Sequence, residues 1–119
     1  MSDPWPTELR LAKDGSTLTI AFDTGEVFPF PAEYLRVMSP SAEVQGHSPD
    51  QKKMVSGKEK VAVIRIDPVG NYAVKLTFDD LHDTGLYTWG YLLKLGRERE
   101  TLWAGYLAEL AEKGLSRSR

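Results

Sequence analysis

The sequence contains no cysteine. That absence removes disulfides, thiolate zinc centres, cysteine-ligated iron–sulfur clusters and cysteine nucleophiles. Histidine is scarce too: His47 and His82 are the only two in 119 residues. An iron site built from two histidines and a carboxylate would need both, and Gln45-Gly-His-Ser-Pro49 has no recognised ligand spacing. Positive charge is not in excess, since 15 Lys and Arg stand against 17 Asp and Glu for a net charge of −2. A nucleic-acid partner, which rewards a basic face, is therefore not indicated. No window approaches the roughly 18 apolar residues of a membrane span. The opening Met1-Ser-Asp-Pro-Trp-Pro6 lacks the basic and apolar regions of a secretory leader, so the expected location is the cytoplasm. Phosphate-cradling glycine motifs are missing, and neither Ser39 nor Ser41 sits in a G-x-S-x-G elbow.

What is present is ordinary in amount, with 41% hydrophobic and 27% charged residues, and suits one globular domain over 1–119. Residues 1–7 read as a loose lead-in. Glu8–Ala12, Thr17–Phe22 and Glu26–Phe30 then read as short strands, separated by Asp14-Gly15-Ser16 and Asp23-Thr24-Gly25. Glycine enters positive φ without steric cost, so both separators are hairpin signals. Pro29 and Pro31 cannot donate to a ladder, which makes the third strand short or an edge. A short helix is predicted over Pro31–Val37, with proline in its first turn.

Residues 38–60 read as a long polar loop, the kind that is usually either functional or mobile in a compact domain. Its Lys52, Lys53, Lys58 and Lys60 form either a solvated surface or a face for an acidic partner. Val61–Ile66 and Tyr72–Phe78 form a second hairpin around Asp67-Pro-Val-Gly-Asn71. From Thr88 the period becomes helical. Leu92, Leu93 and Leu95 face inward, followed by a second stripe of Leu102, Trp103, Tyr106, Leu107 and Leu110 over the helix 97–114. Gly114 stops that helix, and 115–119 are a flexible tail. The fold class is α+β, a two-layer domain with a mostly antiparallel sheet of about five strands and helices on one face.

Thr77–Leu92 concentrates the unusual chemistry. Asp79, Asp80, His82 and Asp83 follow a strand and precede Tyr87, Trp89 and Tyr91. A neutral imidazole beside carboxylates can serve as a ligand or general base. The structural alternative is a turn in which aspartates bond local backbone N–H groups. The rings form either a stacking platform for a base or partner side chain, or core.

Several segments in order carry a resemblance. They are Pro6–Leu11, Leu18–Gly25, Tyr34-Leu-Arg36, Val69–Val74 and, most specifically, Phe78-x-x-x-His82-x-x-Gly85-x-Tyr87-x-Trp89-x-Tyr91-Leu92. In these the chain resembles the γ-butyrobetaine hydroxylase-like N-terminal domain family, over residues 6–96. Members stand alone in many bacteria, precede the catalytic domain of carnitine-pathway dioxygenases, or are fused to P-loop ATPases that carry iron–sulfur clusters. In the dioxygenase form, three cysteines and the motif histidine hold zinc. The resemblance places those cysteines at Ser39, Ser41 and Val44 and the histidine at His82, so it implies that the zinc ligands are lost and no metal is held.

The expected function is a non-catalytic protein-binding or adaptor module without a cofactor. Fusions among relatives point to an iron–sulfur carrier ATPase as partner and to iron–sulfur cluster delivery. The dioxygenase chemistry resides in a separate jelly-roll domain, so kinship with such enzymes implies an accessory domain. A different class is a small ligand- or metal-binding protein or enzyme using His82 and the acidic turn. Self-association through a sheet edge is also open. Candidate surface residues are Arg36, His47, Asp79, Asp80, His82, Asp83, Tyr87 and Trp89.

Overall fold

The structure, a computed structural model, describes residues 4–40, 55–83 and 85–118. Ser41, Val44, His47, Lys52 and Lys53 lie outside the described residues, as does most of the segment 38–60. The chain forms an α+β fold. Six strands are described: β1 (Pro6–Leu11), β2 (Thr17–Phe22), β3 (Val27–Pro31), β4 (Val63–Val69), β5 (Ala73–Phe78) and β6 (Leu86–Thr88). They make two antiparallel three-stranded sheets, ordered β1-β2-β3 and β4-β5-β6, in place of the expected single sheet of about five. Helix α1 (Ala32–Val37) links β3 to the undescribed segment, and α2 (Trp89–Arg97) and α3 (Arg99–Glu112) follow β6.

Period-two alternation explains how the sheets share one core. Leu18, Ile20 and Phe22 point inward from β2, and Val74, Leu76 and Phe78 from β5, all essentially buried. The sheets meet at the first hairpin turn, where the Gly15 carbonyl accepts from Val63 N at 2.9 Å and the Ser16 carbonyl from Ala32 N at 2.8 Å. Gly15 has φ 73°, and any Cβ there would run into the Val63 carbonyl oxygen. Only glycine meets both demands.

Edge position accounts for the prolines. Pro29 and Pro31 lie on β3, an edge, as their lack of an N–H requires. The second hairpin departs from expectation for the same reason. β4 continues through Asp67, Pro68 and Val69, because β4 is itself an edge and tolerates Pro68. The turn is therefore Gly70-Asn71-Tyr72, with Gly70 at φ 55°. β6 escaped the sequence reading because three residues are too few to show a period.

Both ends of the chain are tied down more than expected. Trp5 and Asp23 exchange hydrogen bonds, Trp5 N to Asp23 Oδ1 at 3.2 Å and Asp23 N to the Trp5 carbonyl at 2.8 Å. At the other end α3 closes in a Schellman turn, with Gly114 N on the Ala111 carbonyl and Leu115 N on the Leu110 carbonyl. Ser116 and Arg117, which follow it, carry hydrogen bonds back to earlier parts of the chain. Gly57 N donates to the Ser116 carbonyl, Glu59 N donates to the Arg117 carbonyl, and the Arg117 guanidinium forks onto the buried carboxylate of Glu33. Leu107, expected inward, is exposed, since Tyr106 and Leu110 form the buried stripe of α3.

Two helical glycines predict opposite outcomes. At Gly96 a Cβ would stand 2.6 Å from Phe28 Cγ, whereas at Gly105 it would meet nothing within 4 Å. Gly105→Ala should raise the thermal midpoint through about 1 kcal/mol of helix propensity. Gly96→Ala should lower it, because overpacking costs about 1–3 kcal/mol and outweighs the same gain. Thermal unfolding followed by circular dichroism reads both signs.

Candidate functional site

The acidic turn is a three-residue hairpin loop. Leu81 N donates to the Phe78 carbonyl at 2.9 Å, and Phe78 N to the His82 carbonyl at 3.0 Å. Such a loop places its third residue in the left-handed region. That residue is Leu81, at φ 70° the only described non-glycine residue with positive φ. The aspartates are spent on structure. Asp79 exchanges two bonds with Ala62, its N–H to the carbonyl and its Oδ1 from Ala62 N. Asp80 accepts from Arg36 Nε at 2.9 Å, Lys58 Nζ at 2.6 Å and His82 N at 3.2 Å. Burial alone would raise the Asp80 pKa. Hydrogen bonds from Lys58, the His82 backbone and Arg36, together with the Arg36 charge, outweigh that and hold it at about 2.

The remaining motif residues converge on the end of α1. A six-residue helix leaves its last carbonyls without helical partners. Tyr87 Oη donates to the Leu35 carbonyl at 2.6 Å, and Tyr91 Oη donates to the Met38 carbonyl. Ser39 Oγ and His82 Nε2 share a buried hydrogen bond of 2.9 Å one residue further on. Gly85 completes the arrangement, because a Cβ there would collide with Ser39 Oγ and press on Pro40. Burial pushes the Tyr87 phenol above its usual range and raises that of Tyr91.

The structure thus gathers Arg36, Asp80, His82, Tyr87 and the Ser39 position, and separates Trp89 from them. Tyr87 is 0% exposed and His82 8%, so both lie in the interior and not on a contact surface. Trp89 lies at the start of α2, its Nε1 donating to the Asn71 carbonyl at 2.9 Å. Asp83 is half-buried and Asp79 exposed. His47 is outside the described residues. Sequence reasoning missed Lys58 as a partner of Asp80, the hydroxyl roles of Tyr87 and Tyr91, and Leu81. The Leu81 signal was available, since a three-residue loop between Phe78 and His82 dictates a left-handed third position.

The thiolate zinc centre implied by the family resemblance does not fit these residues. At the first ligand position a serine hydroxyl is hydrogen-bonded to the imidazole, and a neutral hydroxyl does not replace a thiolate. The other two positions, Ser41 and Val44, lie outside the described residues. Among the described residues no group of three His, Asp or Glu side chains converges to hold a metal.

Beside the turn opens a cleft of about 460 Å³, lined by Lys58, Lys60, Asp79, Asp80 and Arg117. Its three cations are balanced by Asp79, Asp80 and Glu59, with Lys58 committed to Asp80 and Arg117 to Glu33 outside the cleft.

A sequence model described as gamma-butyrobetaine hydroxylase-like, N-terminal, matches residues 9–93. No curated protein matches the chain. Among solved structures, two NMR solution structures are 47% identical to it. One covers 98% of this chain and 92% of its own with a TM-score of 0.84, the other 98% and 86% with 0.82. A crystal structure of a protein of unknown function, of the DUF971 family, from Acidithiobacillus ferrooxidans is 37% identical. It covers 80% of this chain and 98% of its own, with a TM-score of 0.66.

The Asp80 clamp predicts an acid response. Its folded-state pKa, about 2, lies below the value of roughly 4 for an unfolded aspartate. The stabilisation is therefore complete above about pH 4 and disappears as the pH falls toward 2. Asp80→Asn should cost about 3 kcal/mol at pH 7, because it leaves the nearly buried Arg36 uncompensated. Urea unfolding of both proteins from pH 7 to 2 checks this, and the difference should shrink only below pH 4.

Proposed function

Because the chain belongs to the γ-butyrobetaine hydroxylase-like N-terminal family, we propose that it is a non-catalytic protein-binding module, an adaptor whose contact surface is the Asp79–Asp83 turn. One observation carries this reading. Asp80 and His82 are committed to Arg36 and Ser39 at the end of α1, whereas Leu81 at the apex of the turn is 79% exposed in a left-handed backbone conformation. The left-handed φ of a leucine lowers stability by about 1–2 kcal/mol. A glycine or asparagine would fold better there, so leucine serves something other than folding.

The turn is also rigid. Three backbone hydrogen bonds and the Asp80 clamp hold Leu81 in place, so docking it would cost little ordering entropy. The fitting partner offers a small apolar pocket with a basic rim, complementing Asp79 and Asp83. Fusions among relatives suggest an iron–sulfur carrier ATPase in the cytoplasm as that partner, and cluster delivery as the process. An accessory role beside a dioxygenase domain would use the same surface, and self-association would use a sheet edge instead.

In the catalytic alternative, His82 would act as a base or metal ligand. That requires the imidazole to leave Ser39 and reach solvent.

Leu81→Asn separates binding from folding. The variant should keep or raise the thermal midpoint, and the protein that co-purifies with the tagged wild type should be lost. An unchanged set of co-purifying proteins would overturn the proposed surface. NMR titration of His82 with and without zinc tests the alternative, and the imidazole resonances should not respond to the metal.

A further inference from the structure

The strap of residues that follows α3 lies in a groove with three walls. Glu33 from the start of α1, Trp103 from α3 and the backbone of Gly57 and Glu59 face Ser116 and Arg117 there. We propose that this groove is a binding site for an arginine-bearing peptide segment of a partner protein, a site that residues 116–118 occupy in cis. It goes beyond the adaptor reading, and none of its walls belongs to the Asp79–Asp83 turn.

The walls are held by contacts that do not involve the strap. The Trp103 ring meets Tyr34 edge-to-face at 6.0 Å and lies 5.2 Å from the ring of Tyr106. Tyr106 Oη donates to the Val55 carbonyl at 2.8 Å and Lys58 is paired with Asp80, which pins the 55–59 segment at two points. The strap is held less firmly. Its one apolar side chain, Leu115, is 41% exposed, and Ser116 and Ser118 are exposed and bond one another. A segment with so little buried apolar surface opens locally at low cost. Glu33 is then the group that suffers. Its side chain is 6% exposed, and Arg117 is its only hydrogen-bond partner among the described residues. A buried carboxylate whose cation departs is strongly destabilising until another cation arrives.

The cis occupant shows which chemistry the groove takes. Gly57 N donates to the Ser116 carbonyl at 2.9 Å and Glu59 N to the Arg117 carbonyl at 3.1 Å, contacts that the main chain of any peptide can supply. Selection lies in the side chain. The Arg117 guanidinium reaches both Glu33 oxygens at 2.8–3.2 Å while its carbon stands 5.4 Å from the centre of the Trp103 ring. A planar fork with a flat face meets both demands at once, whereas a lysine ammonium is a point charge that meets neither well. The flanking serines touch no wall with their hydroxyls, so the groove reads arginine and two neighbouring carbonyls.

The test uses the full-length Arg117→Ala protein, isotopically labelled, and three capped tripeptides, Ser-Arg-Ser, Ser-Lys-Ser and Ser-Ala-Ser. The variant should melt below the wild type. Ser-Arg-Ser should raise its midpoint and shift the Trp103 indole N–H and the Gly57 and Glu59 amides. Ser-Lys-Ser should bind at least about ten-fold more weakly, and Ser-Ala-Ser not at all. Should Arg117→Ala need the peptide to fold, circular dichroism reads the same preference. The double variant Glu33→Gln/Arg117→Ala removes the buried charge together with its partner, so it should fold without peptide and bind none of the three. Equal binding of the arginine and lysine peptides, shifts confined to residues outside the groove, or binding retained by the double variant would overturn the proposal. So would a wild-type dimer, by light scattering, formed by exchange of the strap between two copies. Leu81→Asn should leave the titration unchanged, so failure of the turn and failure of the groove are read separately.

Discussion

A helix of six residues cannot satisfy its own ends, and much of this fold is organised around that fact. The terminal carbonyls of α1 are capped from outside by the hydroxyls of Tyr87 and Tyr91, from β6 and α2. The flanking Arg36 and Ser39 reach Asp80 and His82 in the β5–β6 turn. These four side-chain links join the end of α1 to the second half of the chain. Each is buried or nearly so, and removing either partner leaves a desolvated polar group.

That arrangement changes the meaning of the histidine motif. Histidine, glycine, tyrosine and a second tyrosine at these spacings look like a site, and the family resemblance implies a metal ligand at the histidine position. Here the same residues act as mortar. His82 meets a serine hydroxyl, Gly85 makes room for that serine, and both tyrosines cap a helix. Among the described residues, Leu81 is the most exposed of the large hydrophobic side chains.

Rigidity links these exposed groups to the interior. Leu81 is aimed by a turn that Asp80 clamps, and Trp5 and Trp89 by bonds to neighbouring backbone. The C-terminal residues contribute through Arg117, which neutralises the buried Glu33 and lies over the Trp103 ring at 5.4 Å. A tail that reads as polar and loose is held because one buried carboxylate needs it.

By itself the sequence determined the α+β class, the hairpins at Gly15 and Gly25, the edge position of the Pro29 strand, the inward leucines of α2 and the helix stop at Gly114. These follow from short-range rules of periodicity, positive φ and missing N–H groups, which act within a few residues. Tertiary structure decided what local pattern does not encode. It split the strands into two sheets joined at Gly15 and Val63, carried β4 through Pro68 because no described strand pairs beyond that edge, and buried Tyr87 and His82 while leaving Leu81 in water. Each depends on partners far apart in the chain, such as Ser39 with His82 or Glu33 with Arg117. An isolated aspartate or tyrosine carries no mark of which distant carbonyl or guanidinium it will meet.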